Sequence, residues 1–207
     1  KMAVQVEGAI HLGSLPLELN GKAYNSSVLI SKSGEIKATY QKVHLFDIEL
    51  DGQKPIRESD VYTHGDKPHI FQIGSWKVGE TICYDLRFAE LYSYYATEGV
   101  DLILVPSAFL VKTGQAHWEI LLRARAIESQ AYVVAAAQAG SHESKRTAQK
   151  RETWGHSLVV DPWGQVVECA QTQDAVLVVD LHKKNIEKVR KQIPMSAHRR
   201  LGLQKRS

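Results

Sequence analysis

The chain has 207 residues, 43% of them hydrophobic and 24% charged, with a formal net charge of +3. This length suffices for one domain with a proper core and leaves little room for two, and the composition excludes a disordered or fibrous chain. The positive excess lies mostly in residues 143–151 and 198–207. We interpret these as a solvated loop and a solvated tail, so we expect no nucleic-acid partner.

Two cysteines do not make a disulfide framework, and their small number is typical of a reducing compartment, which predicts a cytoplasmic protein. No uncharged apolar run is long enough to cross a bilayer, and the start lacks a signal-peptide pattern, so we expect no membrane contact. The chain begins with Lys1 in the middle of a strand-like pattern. This beginning is consistent with a fragment of a longer protein.

The first part of the chain is predicted to be mostly extended, because apolar and polar residues alternate between turn formers. The predicted strands lie at residues 4–12, 26–30, 35–45, 69–73 and 77–83. Residues 19–25 and 47–66 are predicted to be loops, since they contain turn formers and show no clean period.

The second part alternates helices with buried strands. The predicted helices are 87–99, 116–130 and 185–193, and the predicted strands are 100–109, 131–140, a hairpin over 156–170 and 175–181. The apolar stripe of the middle helix is predicted at Trp118, Leu121, Leu122 and Ile127. This order of elements predicts a layered α/β or α+β domain in which two sheets pack together with helices outside.

Cys83 is the strongest candidate for a reactive side chain. It follows an apolar stretch and is followed by Asp85 and Arg87. Ligands bind at the carboxyl ends of strands in α/β architectures, and a helix that begins next to a cysteine favours the thiolate. The alternative is a buried core cysteine, because free cysteine is among the most buried residue types. Cys169, in the predicted hairpin, is interpreted as structural.

Lys42 and Glu119 are weaker candidates. Lys42 shares one strand face with Tyr40 and His44, although a lysine in such a strand is more commonly an exposed edge residue. Glu119 lies near the start of a predicted helix, where the helix dipole or Arg123 four residues later explains it equally well. The histidines lack zinc-site spacing and no nucleotide-binding glycine motif is present, so we expect no metal and no cofactor. The residues alone allow a Cys/Lys/Glu enzyme without requiring one.

Four stretches carry a family resemblance: "YQKVHLFD", "GETICYDLRFAEL", "VPSAFLVKTGQAHWEILLRARAIESQAYVVAAAQ" and "WGHSLVVDPWGQVV". They resemble the nitrilase or carbon–nitrogen hydrolase superfamily, in particular its Nit branch of omega-amidases and deaminated glutathione amidases, from about residue 8 to about residue 200. The resemblance implies a four-layer α-β-β-α sandwich. It also implies amide hydrolysis through a thioester on Cys83, with Lys42 and the Tyr84 N–H holding the oxyanion and Glu119 helping to hold the site together.

The resemblance further implies a general-base glutamate upstream of the lysine. Glu7, Glu18 and Glu35 precede Lys42, but each lies in sequence that resembles later family segments. We therefore expect residues 1–207 to be a single, N-terminally incomplete domain that lacks the opening strand–helix units. Such a piece is expected to hydrolyse amides poorly and to aggregate through exposed sheet edge and apolar surface.

The same resemblance suggests how a substrate is held. Arg87 is expected to clamp a carboxylate, for which a planar guanidinium is well shaped, and Phe109 and Thr113 are expected to flank the substrate. The alternative for Arg87 is an ion pair with Asp85 or Glu90. The implied substrate is a small amide with a distal carboxylate, either a 2-oxo acid amide or a deaminated tripeptide with a γ-linked amide.

Members of the resembled family associate as dimers or larger assemblies through helices flanking the site, so we expect a homodimer or a larger homo-oligomer. The competing hypothesis is a catalytically inactive nitrilase-fold module that binds partners through its surface. The presence of both Lys42 and Cys83 argues against it, since substitution there would be the simplest route to an inactive scaffold.

Overall fold

The computed structural model describes residues 1–49, 55–143 and 150–201. The predicted loop over 47–66 and the two basic stretches therefore lie partly outside the described residues. Within the described ranges, no helix combines the length and the apolar character that a membrane span needs.

A three-stranded antiparallel sheet opens the fold. It consists of β1 (Ile10–Leu19), β2 (Lys22–Ile30) and β3 (Ile36–Gln41) in that order, preceded by the one-turn helix α1 (Met2–Gln5). The prediction of a loop over 19–25 was wrong. Asn20 and Gly21 have φ values of 53° and 73°, which is the conformation that a two-residue hairpin turn requires, so the strands run up to the turn on both sides.

A six-stranded sheet forms the centre, in the spatial order β13-β12-β9-β8-β7-β6. Its middle strands β7, β8 and β9 are parallel and the outer pairs are antiparallel. The strands are β6 (Ile70–Ile73), β7 (Trp76–Glu80), β8 (Leu102–Leu104), β9 (Tyr132–Ala135), β12 (Leu158–Val160) and β13 (Val166–Cys169). Two short ribbons complete the strands: β4 (Asp47–Ile48) with β5 (Ile56–Arg57), and β10 (Ala139–Glu143) with β11 (Lys150–Trp154).

Within the described residues, four helices follow α1, and the longest begins earlier than predicted. They are α2 (Ala89–Thr97), α3 (Val111–Ser129), α4 (Lys183–Gln192) and α5 (Met195–His198). On α3, Trp118 and Leu122 are buried as predicted, whereas Ile127 is 47% exposed. Ile127 instead lies beside Gly164 in the hairpin turn, so it is not part of the inner stripe.

The two faces of the central sheet pack against different layers. On one face, Ile103 of β8 packs in the same cluster as Trp118 and Leu122 of α3. On the other face, Val78 of β7 packs against Leu29 of the small sheet. The described residues thus form helix, sheet and sheet layers, as expected for the predicted α/β sandwich.

Two predictions near the C-terminus had opposite outcomes. The hairpin over 156–170 is confirmed, and the Asp161 carboxylate accepts hydrogen bonds from the Trp163 and Gln165 N–H groups in its turn. The strand predicted over 175–181 is wrong, because the described chain there pairs with no sheet and Val176 and Val178 are each 89% exposed.

Candidate active site

Cys83 lies in a turn between the central sheet and α2. Strand β7 ends at Glu80, and Cys83 begins the short 3-10 turn Cys83–Arg87. Its φ is 51°, a left-handed conformation that costs a residue with a side chain of order 1 kcal/mol. The Cys83 N–H donates to the Pro106 carbonyl at 3.0 Å, which ties the turn to the segment after β8. The strained residue is thus fixed by its surroundings, and its side chain is half-buried.

The Asp85 side chain holds this turn in place through several hydrogen bonds. Its fully buried carboxylate accepts the Ile82 N–H at 2.8 Å, the Tyr40 hydroxyl at 2.8 Å and the His44 N–H at 3.0 Å. The His44 ring nitrogen Nδ1 also lies 2.8 Å from it. Burial and the nearby charge of Asp85 raise the pKa of Tyr40 well above its usual value, so this hydroxyl remains a donor. Sequence reasoning considered Asp85 only as a partner for Arg87 and missed this role.

Lys42 pairs with a carboxylate that sequence reasoning also missed. The lysine follows β3, and its side chain is only 2% exposed, so the edge-residue alternative does not apply. Its Nζ donates to Oε2 of Glu58 at 2.5 Å. The same carboxylate accepts Asn25 Nδ2 at 2.7 Å and the Phe46 N–H at 2.6 Å. Glu58 lies in the stretch predicted as a loop, where no periodic pattern marks it out.

Cys83 and Glu58 line the same cavity, which has a volume of about 520 Å³. The charged side chains among its described lining residues are Glu58, Arg57 and Arg151. Asn25, Tyr62, Gln138 and several serines add polar groups, and most of the remaining lining residues are small. A cavity of this size suits a small molecule.

The three predicted substrate-side residues are absent from the described cavity lining. The guanidinium of Arg87 lies over the Phe109 ring, 5.3 Å from its centroid, and its Nη1 is 3.2 Å from Nδ1 of His117. Phe109 is buried against Trp118. Thr113 is not in a loop but in the first turn of α3, where its hydroxyl bonds the Leu110 carbonyl at 3.3 Å.

The predicted Glu119 is also not brought to Cys83 and Lys42. Its side chain is 60% exposed, and Arg123 Nη1 lies 3.4 Å from its Oε1, which is the surface-pair alternative. Glu7, Glu18 and Glu35 are likewise exposed and are absent from the described cavity lining. The Tyr84 N–H is placed one residue after the thiol, and its oxyanion role stays a prediction.

A second buried carboxylate, Glu80, lies at the end of β7. It accepts the Ser27 hydroxyl at 2.9 Å and is bonded by His11 Nε2 at 3.0 Å and His69 Nδ1 at 2.5 Å. Burial acts to raise the pKa of Glu80, but the bonds from His11, His69 and Ser27, with the charge of His11, outweigh burial and hold that pKa below its usual value. The cluster joins both sheets close to the Cys83 turn. No set of three or more acidic, histidine or cysteine side chains in the described ranges is arranged to hold a metal ion.

Known proteins resemble this chain over nearly its whole length. Residues 1–191 match the carbon-nitrogen hydrolase family. The chain is 42% identical over 202 residues to omega-amidase NIT2 of Mus musculus, covering 97% of this chain and 71% of that protein. It is 45% identical over 200 residues to deaminated glutathione amidase of Mus musculus, covering 95% of this chain and 59% of that protein.

Among solved structures, the C. elegans NitFhit protein superposes with a TM-score of 0.82 at 38% identity, covering 96% of this chain and 48% of that one. The family match, the two amidase relatives and this superposition all extend over nearly the whole chain. The chain therefore belongs to the carbon-nitrogen hydrolase family.

Proposed function

We propose that this chain carries the nucleophile of a thiol amidase that acts on small amides bearing a distal carboxylate. The observation that carries the proposal is the shared cavity, which is lined both by Cys83 and by Glu58, the carboxylate bonded to the buried Lys42. The amidase relatives support the reaction class. They also disfavour the alternative of an inactive interaction module.

In the proposed reaction, a base takes the thiol proton and the sulfur of Cys83 forms a bond to the amide carbon. The carbonyl electrons move to the oxygen, where the Lys42 ammonium and the Tyr84 N–H stabilise the charge. Loss of one such donor typically lowers the rate by ~10²–10³. When the electrons return, the C–N bond breaks and the protonated nitrogen leaves as ammonia. Water then attacks the thioester, breaks the C–S bond and releases the acid.

The base in this proposal is a carboxylate. Glu58 is the acidic side chain that the described cavity lining offers, and it also fixes Lys42. The family resemblance instead expects a further glutamate in sequence upstream of residues 1–207, and a single domain completed by those units. Glu58→Gln distinguishes the two roles, because loss of the base lowers kcat far more than loss of a contact that only positions Lys42.

Two measurements test the proposal: ammonia release from a carboxylate-bearing amide, and thiol alkylation followed residue by residue by peptide mass spectrometry. We expect rapid, substrate-protected modification of Cys83 and complete loss of turnover in Cys83→Ala. Cys169→Ser is the matched control, since Cys169 lies on β13 and outside the described cavity lining. An unreactive Cys83 thiol, or turnover that survives its removal, would contradict the proposal.

We also propose that the protein acts in the cytoplasm as a homodimer or a larger homo-oligomer. Both cysteines are free thiols, which suits a reducing compartment. Helix α3 exposes Ile120 (70%) and Ile127 (47%), which are two turns apart and therefore lie on one face. Such a face is suited to contact a second copy. Analytical ultracentrifugation measures the assembly directly.

A further inference from the structure

We infer that Arg151 binds the distal carboxylate of the substrate and so determines its specificity, an inference that rests on the function proposed above. The sequence predicted that Arg87 binds this carboxylate, but the Arg87 guanidinium contacts His117 and two aromatic rings that lie outside the described cavity lining. Arg151 lines the same cavity as the Cys83 thiol. It lies in a stretch that the sequence predicted to be a solvated loop.

The strand that carries Arg151 is anchored at its C-terminal end, where Thr153 is buried. This strand, β11, pairs with β10, where His142 is the direct partner of Arg151. Two residues further along, Thr153 is 4% exposed and bonds His142 Nε2 at 2.8 Å. The backbone N–H of Trp154 donates to the Phe109 carbonyl. The Trp154 side chain also packs closely on Gly114 of α3, since a Cβ added to Gly114 would lie 2.3 Å from the Trp154 Cβ. The strand that presents Arg151 is therefore anchored to the helix layer.

The guanidinium itself is oriented toward the wall of the cavity. Its Nη2 donates to the Ala108 carbonyl at 2.8 Å, and Ala108 is a lining residue too. This bond uses one of the five N–H groups of a guanidinium, whose planar fork matches a carboxylate. The bond to Ala108 thus positions the guanidinium along the cavity wall and leaves its other N–H groups available to bind an anion.

The charges of the lining favour an anionic ligand. Among the described lining residues, Arg57 and Arg151 contribute two positive charges, and the negative charge of Glu58 is neutralised by Lys42. Arg57 lies on β5 opposite Asp47 of β4. Hydrogen bonds from Ser59 lower the pKa of the Asp47 carboxyl, and the charge of Arg57 adds a smaller contribution in the same direction. Since Asp47 offsets Arg57, Arg151 is the stronger anchor for a carboxylate. Positive potential in a cleft also raises the local concentration of an anionic substrate.

The first test requires no turnover, so it separates this inference from the proposed function. Iodoacetate and iodoacetamide alkylate a thiol by the same displacement of iodide, and only the first carries a carboxylate. The rate ratio of the two reagents at Cys83, normalised to a free thiol, therefore reports the anion site. We expect the normalised ratio to fall about threefold to tenfold in Arg151→Gln and to be partly retained in Arg151→Lys.

Lys150→Gln is the matched control, because it removes one positive charge from the adjacent position of the same strand, whose side chain points to the other face. Its ratio should stay within about twofold of wild type. An unchanged ratio in Arg151→Gln overturns the inference, and so does an equal fall in both rates. Loss of the preference in Arg57→Gln or Arg87→Gln, with Arg151→Gln unaffected, overturns it as well.

The second test uses hydrolysis by the full protein of succinamate, which has a distal carboxylate, and of butyramide, which has none. Arg151→Gln should raise KM for succinamate about tenfold or more, the effect of losing hydrogen bonds to a charged group. The kcat/KM for butyramide should change little. If wild type hydrolyses neither amide while the alkylation ratio depends on Arg151, the proposed function fails and the anion site stands. If succinamate turnover is normal in Arg151→Gln, only the specificity role fails.

Discussion

Replacing Glu58 with alanine is expected to destabilise the fold strongly, because a buried ammonium loses its partner. The side chains of Lys42 and Glu58 are 2% and 12% exposed, and Nζ lies 2.5 Å from Oε2. Breaking such a buried pair from one side costs about 3–5 kcal/mol. Asn25 and the Phe46 N–H also lose their acceptor. Water in the adjoining cavity can replace that acceptor, so we expect a total loss of about 4 kcal/mol.

Two further variants show whether the charge pair is responsible. Glu58→Gln removes the charge but keeps an acceptor oxygen, so we expect roughly half the loss seen with alanine. Lys42→Met removes the ammonium that requires a partner. The Lys42→Met/Glu58→Ala double variant should therefore be more stable than the sum of the single effects predicts, by about 2 kcal/mol or more.

Urea unfolding followed by tryptophan fluorescence measures these differences. With a denaturant slope of about 2 kcal/mol per molar, a loss of about 4 kcal/mol lowers the midpoint by about 2 M. The slope itself should not change if only native stability is affected. A Glu58→Ala midpoint within about 0.3 M of wild type, or strict additivity in the double variant, would refute the idea that Lys42 and Glu58 form a coupled buried unit.

Two other expectations concern strain and pH. Cys83→Gly and Cys83→Ala both remove the thiol, but only glycine adopts the left-handed conformation of this position without strain. Cys83→Gly should therefore be more stable than Cys83→Ala by about 1 kcal/mol in the same urea assay. Equal midpoints would show that the turn relaxes instead. In the folded protein the pKa of Glu80 lies below the value of about 4.3 that a glutamate has in an unfolded chain. The ionised Glu80 carboxylate therefore stabilises the fold above about pH 4.3, and this contribution is lost as the pH falls through the folded pKa. Melting temperatures between about pH 5 and 3 should therefore fall less steeply in Glu80→Gln than in wild type, and parallel curves would contradict this assignment.

Much of the fold follows from local sequence patterns, and the failures have physical causes. The hairpin over 156–170 was predictable because its turn residues and its apolar strands agree. The strand over 175–181 was not a strand, because an apolar run of β-formers cannot by itself supply a partner strand. There Val176 and Val178 face solvent, and Leu177 and Val179 are half-buried.

The candidate site was predicted in part for a similar reason. Cys83 and Lys42 were suggested by a thiol before a polar turn and a cation on a strand face, but both have ordinary alternatives, and the family resemblance was needed to single them out. Glu58 carries no such mark, because a glutamate in a polar loop is ordinary. Only the fold shows that Glu58 lies against Lys42 and that its carboxylate accepts hydrogen bonds from three donors.

Proximity to Cys83 in sequence predicted Arg87 as the residue that binds the substrate carboxylate, whereas the cavity lining contains Arg151. Arg87 is four residues after the nucleophile, but the left-handed start at Cys83 and the Asp85 bonds make the chain turn at once, and Arg87 leaves toward α3. Arg151 is distant in sequence, yet the β10–β11 ribbon returns to the segment after β8 that also accepts the Cys83 N–H. Specificity in this cavity is therefore set by the ribbon, and exchanging the side chain at position 151 is the direct way to change which amides bind.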